Sequence, residues 1–528
     1  MSVNDNDFTA RPKRRRTGDV SRRIVLASAV SLGGTAVANA LPALVPDKKA
    51  RHTARPKETN AQIDVEILRK QLKGRTLTQS DADFNSALMD GFFNRLLPTD
   101  RKPQILVQVQ DEDDVCRAVT FAKENKLKVV VRGGGHNWCN PALRHGGLMI
   151  DLHNLNKVIS VDPASRKAVL QPIISNRDVQ RLLNPLGLAY PSGHCPQVKL
   201  SGYLLSGGMS WNQGVWGPGT ASVEAIEIVT PDGKLITASD TENQDYFWAA
   251  RGAGPGFFGV AVRYHLKLYP LPKHIAGSSY YYNLDDAVTL AEWLGKLAPE
   301  LPPQVELSLW LVNAPPEIAA KTKLPGGKAA LVTATTFADS EEEARKAAAP
   351  LDQCPIIEKC LSKTVNERMN FERLFDISGS LWPVDRRNAV EAMFSNSKPA
   401  NLFRAVAGHY RNAPSHEGLI MYAFFTGPQT ANANVTNAAF STQAHLYGGP
   451  WTLWKDAADD EANLRWHRKC VEILRPFTFR HYVGETDTVH YPSHVKHAYS
   501  EETFKRIEQL RKRYDPTGVF FNYSDGLS

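Results

Sequence analysis

Apolar residues recur along this chain with two different periods. In 111–124, Val115, Val119 and Ala122 fall at i, i+4 and i+7, one face of a helix. Asp111, Glu112, Asp113 and Asp114 put negative charge at its start, where the helix dipole favours it. Short apolar runs at 105–109 (ILVQV) and 128–131 (KVVV) bracket that helix. A strand–helix–strand unit follows, and with it local α/β organisation. A further helix is predicted near 64–72 and a strand over 148–152 (LMIDL). Residues 158–161 and 168–172 form a hairpin around Asp162-Pro163, and a helix over 179–183 ends near Gly187. Two strands, 223–229 (VEAIEIV) and 235–237, flank the tight turn Pro231-Asp232-Gly233. A helix over 245–250 and a strand over 260–268 close this half. Beyond it, strand-like runs at 305–312 (VELSLWLV), 329–336 and 419–425 (LIMYAFF) alternate with helical stretches such as 340–348. The pattern as a whole is α+β.

Length and composition narrow the class. At 528 residues the chain has room for about two to four domains. With 42% hydrophobic and 22% charged residues, wholesale disorder is excluded. Six cysteines are too few for a disulfide scaffold, and no solenoid repeat is present. The net charge is +8, but residues 1–40 hold seven basic residues against three acidic ones. The excess over the remainder is mild and demands no polyanionic partner, so no nucleic acid is expected.

The basic end has its own reading. Arg22-Arg23 leads into an uncharged, small-residue stretch ending in Ala38-Asn39-Ala40, an A-x-A cleavage pattern. Basic, apolar and small-residue regions in that order make a signal peptide over 1–40, and the paired arginines suit the twin-arginine export machinery. Residues 41–60 then form a polar leader. A membrane anchor would need a longer, more apolar run, and no other stretch supplies one. Pro12–Arg16 (PKRRR) taken alone would read as a nuclear-localisation or nucleic-acid patch.

Three glycine clusters carry the candidate chemistry: 132–137 (RGGGHN), 201–209 (SGYLLSGGM) and 251–256 (RGAGPG), each beside a strand or helix end. Glycine turns let backbone N–H groups approach an anionic group closely. Their spacing is not that of a dinucleotide-binding G-x-G-x-x-G, and there is no Walker A sequence. A phosphate-bearing ligand held by several loops is the reading left. Cysteine–histidine spacing offers no zinc site and no metal is predicted. A serine hydrolase lacks its Gly-x-Ser-x-Gly. On their own, His136 could be a polar surface residue and Cys195 a buried, inert thiol.

Taken together, these segments and PSGHCPQVKLSGYLLSGGM (191–209), ENQDYFWAARGAGPGFFGV (242–260) and RKRYDPTGVFFNY (511–523) resemble the FAD-linked oxidases of the vanillyl-alcohol oxidase superfamily, in its berberine-bridge-enzyme-like branch. The resemblance is strong over 75–272, clear in the last 50 residues and weak between. It implies a two-subdomain PCMH-type FAD-binding domain plus an antiparallel-sheet substrate domain flanked by helices. The leader and start of the FAD domain would occupy 41–98, the FAD domain 99–272, the substrate domain 273–477, and 478–528 would return to the FAD domain. It further implies FAD attached twice, through His136 and Cys195, with flavin contacts at Arg132, Gly133, Gly134, Gly135, Asn137, Gly193, Val198, Gly202, Gly207, Gly208 and Asn522.

Two departures stand out. Ser201-Gly202-Tyr203 replaces the family's Gly-Gly-His, and Met209 replaces a glycine. Val198 occupies the family's gate position, three residues after the flavin cysteine, where valine marks oxidases and isoleucine dehydrogenases. The family often carries Tyr-x-Asn-Tyr with the second tyrosine as base. Here the segment is Tyr482-Val483-Gly484-Glu485, so Glu485 is the candidate base and Tyr482 the alternative. Trp138, Trp211 and Trp216 read as packing residues, Cys116 as a buried thiol, and Cys354 and Cys360 as a possible pair.

The implied activity is oxidation of a small organic substrate, with O2 returning the electrons as H2O2. A dehydrogenase with another acceptor is the alternative within enzymes. A basic nucleic-acid-binding protein or a flavin-carrying binding protein is the alternative outside them.

Overall fold

The computed structural model describes residues 63–98, 100–322, 324–430 and 433–527. The predicted signal peptide and the whole 41–60 leader lie outside the described residues. Within them no helix is long and apolar enough to cross a membrane.

The first sheet grows from the predicted strand–helix–strand unit. Its order is Arg75–Thr78, Ile105–Gln108, Leu148–Asp151, Val129–Arg132, the last three parallel. The helix Glu112–Glu124 is capped by the Asp111 carboxylate, which accepts from the Asp114 N–H, and buries Val115, Val119 and Ala122 as the periodicity predicts. Leu68, from the helix Val65–Gln71, joins Ile105, Val129 and Leu148 in the same core. Five antiparallel strands make the second sheet, in the order Val158–Asp162, Lys167–Leu170, Val260–Lys267, Val223–Val229, Leu235–Ser239. Both predicted hairpins lie in it.

The third sheet has nine antiparallel strands and comes almost wholly from the middle of the chain. Its spine runs His274–Asn283, Lys328–Ala338, Val305–Asn313, Leu419–Phe424, Leu446–Trp454. Side chains on a strand alternate between faces, and here one face is covered by helices and the other looks into a cavity. Leu307, Leu309 and Leu311 pack on the helices Ala287–Leu297 and Pro399–Tyr410. Ser308, Trp310 and Val312 face a cavity.

The C-terminal segment does two jobs. Arg480–His481 first adds an edge strand to the nine-stranded sheet, beside Met393–Ser395. The tail then returns to the first sheet, where Val129 N–H donates to Val519 O at 2.6 Å and Phe521 N–H to Val129 O at 2.9 Å. Buried Arg144 ties down the end of the tail through the carbonyls of Tyr523 and Asp525.

Candidate active site

Loops from the first two sheets and the open face of the third enclose a cavity of about 600 Å³. Most of the residues singled out in the sequence line it. His136 comes from the loop after Val129–Arg132, Cys195 from the Pro191–Pro196 loop, and Tyr482 and Glu485 from the C-terminal segment. Gly193, Val198 and Gly202 complete the nearer wall with Arg132 to Gly135 and Asn137.

The glycines of 133–135 have a reason the sequence did not disclose. A Cβ on Gly135, whose φ is +62°, would overlap the carbonyl oxygen of Gly91. One on Gly134 would overlap the Lys199 side chain, and one on Gly133 the Ser201 hydroxyl. The missing side chains let the loop nest against its own protein.

Two of the predicted contact residues also make contacts within the protein. The Arg132 guanidinium is buried on Asp151 at 2.6 Å and on the carbonyls of Ala87 and Leu88, so it braces the loop. The Asn137 amide donates to Gly484 O at 2.9 Å, 347 residues away, joining the histidine loop to the loop that carries Glu485.

His136 and Cys195 are the unengaged nucleophiles. The His136 imidazole stacks on Phe93, centroids 4.0 Å apart, and meets Trp138 edge-on. Its Nε2 is buried with no hydrogen-bond partner. Burial lowers its pKa to about 4, which leaves the ring neutral with a free lone pair. Cys195 is a free thiol whose pKa is pushed up by burial and by the negative charge of Glu485. A buried orphan nitrogen and a free thiol on one apolar-walled cavity fit the two attachment points of a flavin.

Glu485 accepts a hydrogen bond from the Tyr447 hydroxyl at Oε2. Burial raises its pKa, while Tyr447, the charge of His194 and the Trp138 indole pull the other way. Tyr482 differs. It is 3% exposed among Phe394, Phe440 and Tyr447, and its oxygen accepts the Gly208 N–H at 3.1 Å. Burial and the Glu485 charge raise its pKa, so the phenol holds its proton.

Behind this loop lies an anchor that sequence reading missed. Glu391 is fully buried, and its carboxylate accepts from His481 Nδ1 at 2.7 Å, His494 Nδ1 at 3.2 Å, the Thr486 hydroxyl and the Asp487 N–H. These partners hold its pKa down at about 2 against burial. The two imidazoles stack at 3.8 Å, nearly parallel, both turning Nδ1 to the carboxylate. In the structure these groups form a hydrogen-bonded anchor. The available clue was a lone carboxylate in the apolar run Ala389–Phe394, which must find partners if buried.

Gly207, Gly208 and Asn522 do not line the cavity. Gly207, at φ +105°, lies against the Phe440 ring, and Gly208, at φ +83°, against Tyr203. Tyr203 thereby explains one departure from the family pattern. Its ring fills space against Gly193, Gly208 and Gly219, and its hydroxyl donates to Pro191 O at 2.7 Å. Asn522 turns its side-chain oxygen to the Tyr523 N–H, and Phe520 and Phe521 take the cavity wall instead.

Trp216 and Trp211 pack in one core cluster and Trp138 in another, as expected, and Trp138 and Trp211 also border the cavity. Cys116 is half-buried, and Cys354 and Cys360 are both free.

Comparison with known proteins agrees with this geometry. A family model described as an FAD binding domain matches residues 103–239. FAD-linked oxidoreductase nodO of Hypoxylon pulicicidum is 26% identical over 417 residues, covering 79% of this chain and 89% of that protein. The crystal structure of 6-hydroxy-D-nicotine oxidase from Arthrobacter nicotinovorans superposes with a TM-score of 0.72 at 21% identity, covering 86% of this chain and 98% of that one. The grass pollen allergen Phl p 4 superposes at 0.73 with 17% identity, covering 88% of this chain and 99% of that one. Two of its solved variants differ by an isoleucine-to-valine exchange, and they are named a glucose dehydrogenase and a glucose oxidase respectively.

Proposed function

We propose that this chain, an FAD-linked oxidoreductase with an FAD binding domain, is an exported oxidase of the vanillyl-alcohol oxidase/PCMH family with FAD held covalently through His136 and Cys195. The observation that carries the covalent reading is the orphaned, buried Nε2 of His136 in the same cavity wall as the free thiol of Cys195. Imidazole nitrogen and sulfur are the nucleophiles that such bonds need. When bound, the flavin would supply a two-electron acceptor for a substrate C–H bond, with O2 as the final oxidant and H2O2 as its product.

The protein supplies the rest. Glu485 takes the substrate's O–H or N–H proton, since its carboxylate faces the cavity and burial makes it a stronger base than a solvated glutamate. Tyr447 fixes the carboxylate's direction. Asn137 and the Glu391 anchor hold the loop from opposite sides. The sheet face and the aromatic residues around His136 exclude water.

Val198 on the cavity wall favours the oxidase over the dehydrogenase reading. Valine is the residue that accompanies the oxidase name in the Phl p 4 pair. Export rests on the paired arginines and A-x-A pattern of residues 1–40, and its partner would be the twin-arginine machinery. The test of activity is anaerobic mixing with candidate substrates followed by air. Bleaching of the flavin and then peroxide formation is the expected result. Bleaching without peroxide would make the protein a dehydrogenase.

A further inference from the structure

The Glu391 cluster draws on three separate elements. Glu391 follows the strand Arg387–Val390, His481 ends the edge strand Arg480–His481, and His494 lies in the short helix Ser493–His497. Each turns a ligand atom inward, and the three atoms lie within 4.8 Å of one another. His481 Nδ1 is 2.7 Å from Glu391 Oε1, and His494 Nδ1 is 3.2 Å from Oε2. Thr486 Oγ1 stands 3.4 Å from the first of these nitrogens and 3.5 Å from the second, and it also bonds Glu391 Oε1. Two nitrogens and two oxygens therefore surround one small space.

Charge and spacing both suit a cation. Among the described residues, the two imidazoles are the only basic side chains paired with buried Glu391, and no lysine or arginine joins them. A buried carboxylate pairs with a positive group or coordinates a metal. Ligands about 2.1 Å from one tetrahedral zinc stand about 3.4 Å from each other, close to the separation of Thr486 Oγ1 from both nitrogens. Imidazoles with a carboxylate suit zinc, whereas magnesium and calcium take oxygen ligands. His481 and Glu391 would move apart by about 0.7 Å to reach that spacing. The two rings, now 11° from parallel, would splay to aim both lone pairs at one ion. His494 can give way, since it is 15% exposed on a helix of five residues.

We propose that Glu391, His481 and His494 form a zinc site, with Thr486 at its fourth corner. On loading, each neutral imidazole moves its proton from Nδ1 to Nε2. The hydrogen bond from Nδ1 to the carboxylate is exchanged for a bond from Nδ1 to the ion. No proton is released, and nothing is oxidised or reduced. None of the three residues lines the cavity, so the ion's role is structural. It joins strand, edge and helix behind the loop that carries Glu485, and folding is coupled to its binding.

The test uses the purified full-length protein, made in zinc-supplemented medium without an affinity metal, and reads metal content by elemental mass spectrometry. One zinc per chain is expected. A chelator should lower Tm by about 3 °C or more, and Zn2+ should restore it where Mg2+ does not. His494→Ala and His481→Ala should each lose the zinc. His490→Ala, which removes an exposed imidazole bonded to Asp487, should keep it. The wild-type measurements need no variant, so a misfolded His481→Ala does not block the test. Wild-type protein that carries no zinc and whose Tm Zn2+ does not raise overturns the proposal. So does zinc retained by both His494→Ala and His481→Ala, or a Tm restored equally by Mg2+. Neither readout passes through the flavin, so failure here leaves the oxidase reading standing.

Discussion

The phenolic hydroxyl of Tyr447 donates to the carboxylate of Glu485, joining the nine-stranded sheet to the C-terminal segment at the cavity wall. The base and the residue that aims it thus come from different parts of the chain. Glu485→Gln keeps the size and the hydrogen-bonding capacity and removes the basicity. Substrate-driven flavin reduction should slow by about 100-fold or more, with the flavin spectrum unchanged. A wild-type rate in stopped-flow absorbance would remove Glu485 from the mechanism.

The same substitution should not destabilise the protein. Burial raises the pKa of Glu485 in the folded state, so the native state resists its ionisation. That penalty is absent below the unfolded pKa near 4.5, grows as pH rises above it, and is fully present once pH exceeds the raised native value. Glu485→Gln should therefore raise Tm at pH 7 by about 1 °C or more, and the gain should vanish near pH 4. A Tm lowered at pH 7 would contradict this.

Tyr447→Phe removes a donor that favours the ionised carboxylate. The Glu485 pKa should climb further, and the acid limb of the flavin-reduction pH profile should move to higher pH. An unmoved or lowered limb would show that the hydrogen bond does not tune the base.

Glu391 is the group whose loss should be structural. Its folded pKa of about 2 lies below the unfolded value of 4.5, so it stabilises fully above about pH 4.5 and loses that contribution as pH falls towards 2. The difference corresponds to roughly 3 kcal/mol. Urea unfolding of Glu391→Gln should show a loss of that order at pH 7, shrinking near pH 2.5. The variant should also reduce its flavin more slowly than wild type, because Thr486 and Asp487 no longer hold the Glu485 loop. A loss as large at pH 2.5 as at pH 7 would argue against the carboxylate as anchor.

Export is tested by fusing residues 1–45 to a reporter that folds in the cytoplasm. The reporter should leave the cytoplasm, and replacing Arg22 and Arg23 by Lys should retain it, since the twin-arginine pathway takes the arginine pair as its address. Undiminished export of the lysine variant would indicate the general secretory route.

Local pattern carried far into this fold. The helix at Glu112–Glu124, the two hairpins and the alternating strand Val305–Asn313 each follow from spacing that one segment contains. The candidate site was legible where motif residues themselves form the wall, as with His136, Cys195 and Glu485. It was not legible where a side chain acts on a distant loop. Asn137 reaches Gly484 across 347 residues, and Glu391 reaches Thr486 across 95, and no periodicity encodes such pairs. Gly207 and Gly208 carry a related ambiguity. Glycine marks a close approach without naming what approaches, and within the protein Phe440 and Tyr203 lie against these two positions.

The central claim is that His136 and Cys195 hold one flavin between them, and intact-protein mass spectrometry after acid denaturation tests it directly. One FAD should remain on each chain, and a digest should yield a single cross-linked species containing the His136 and Cys195 peptides. His136→Ala and Cys195→Ala should each retain flavin through the other residue, and the double variant should release it. A wild-type chain that comes through acid with the mass of the bare polypeptide would contradict the account.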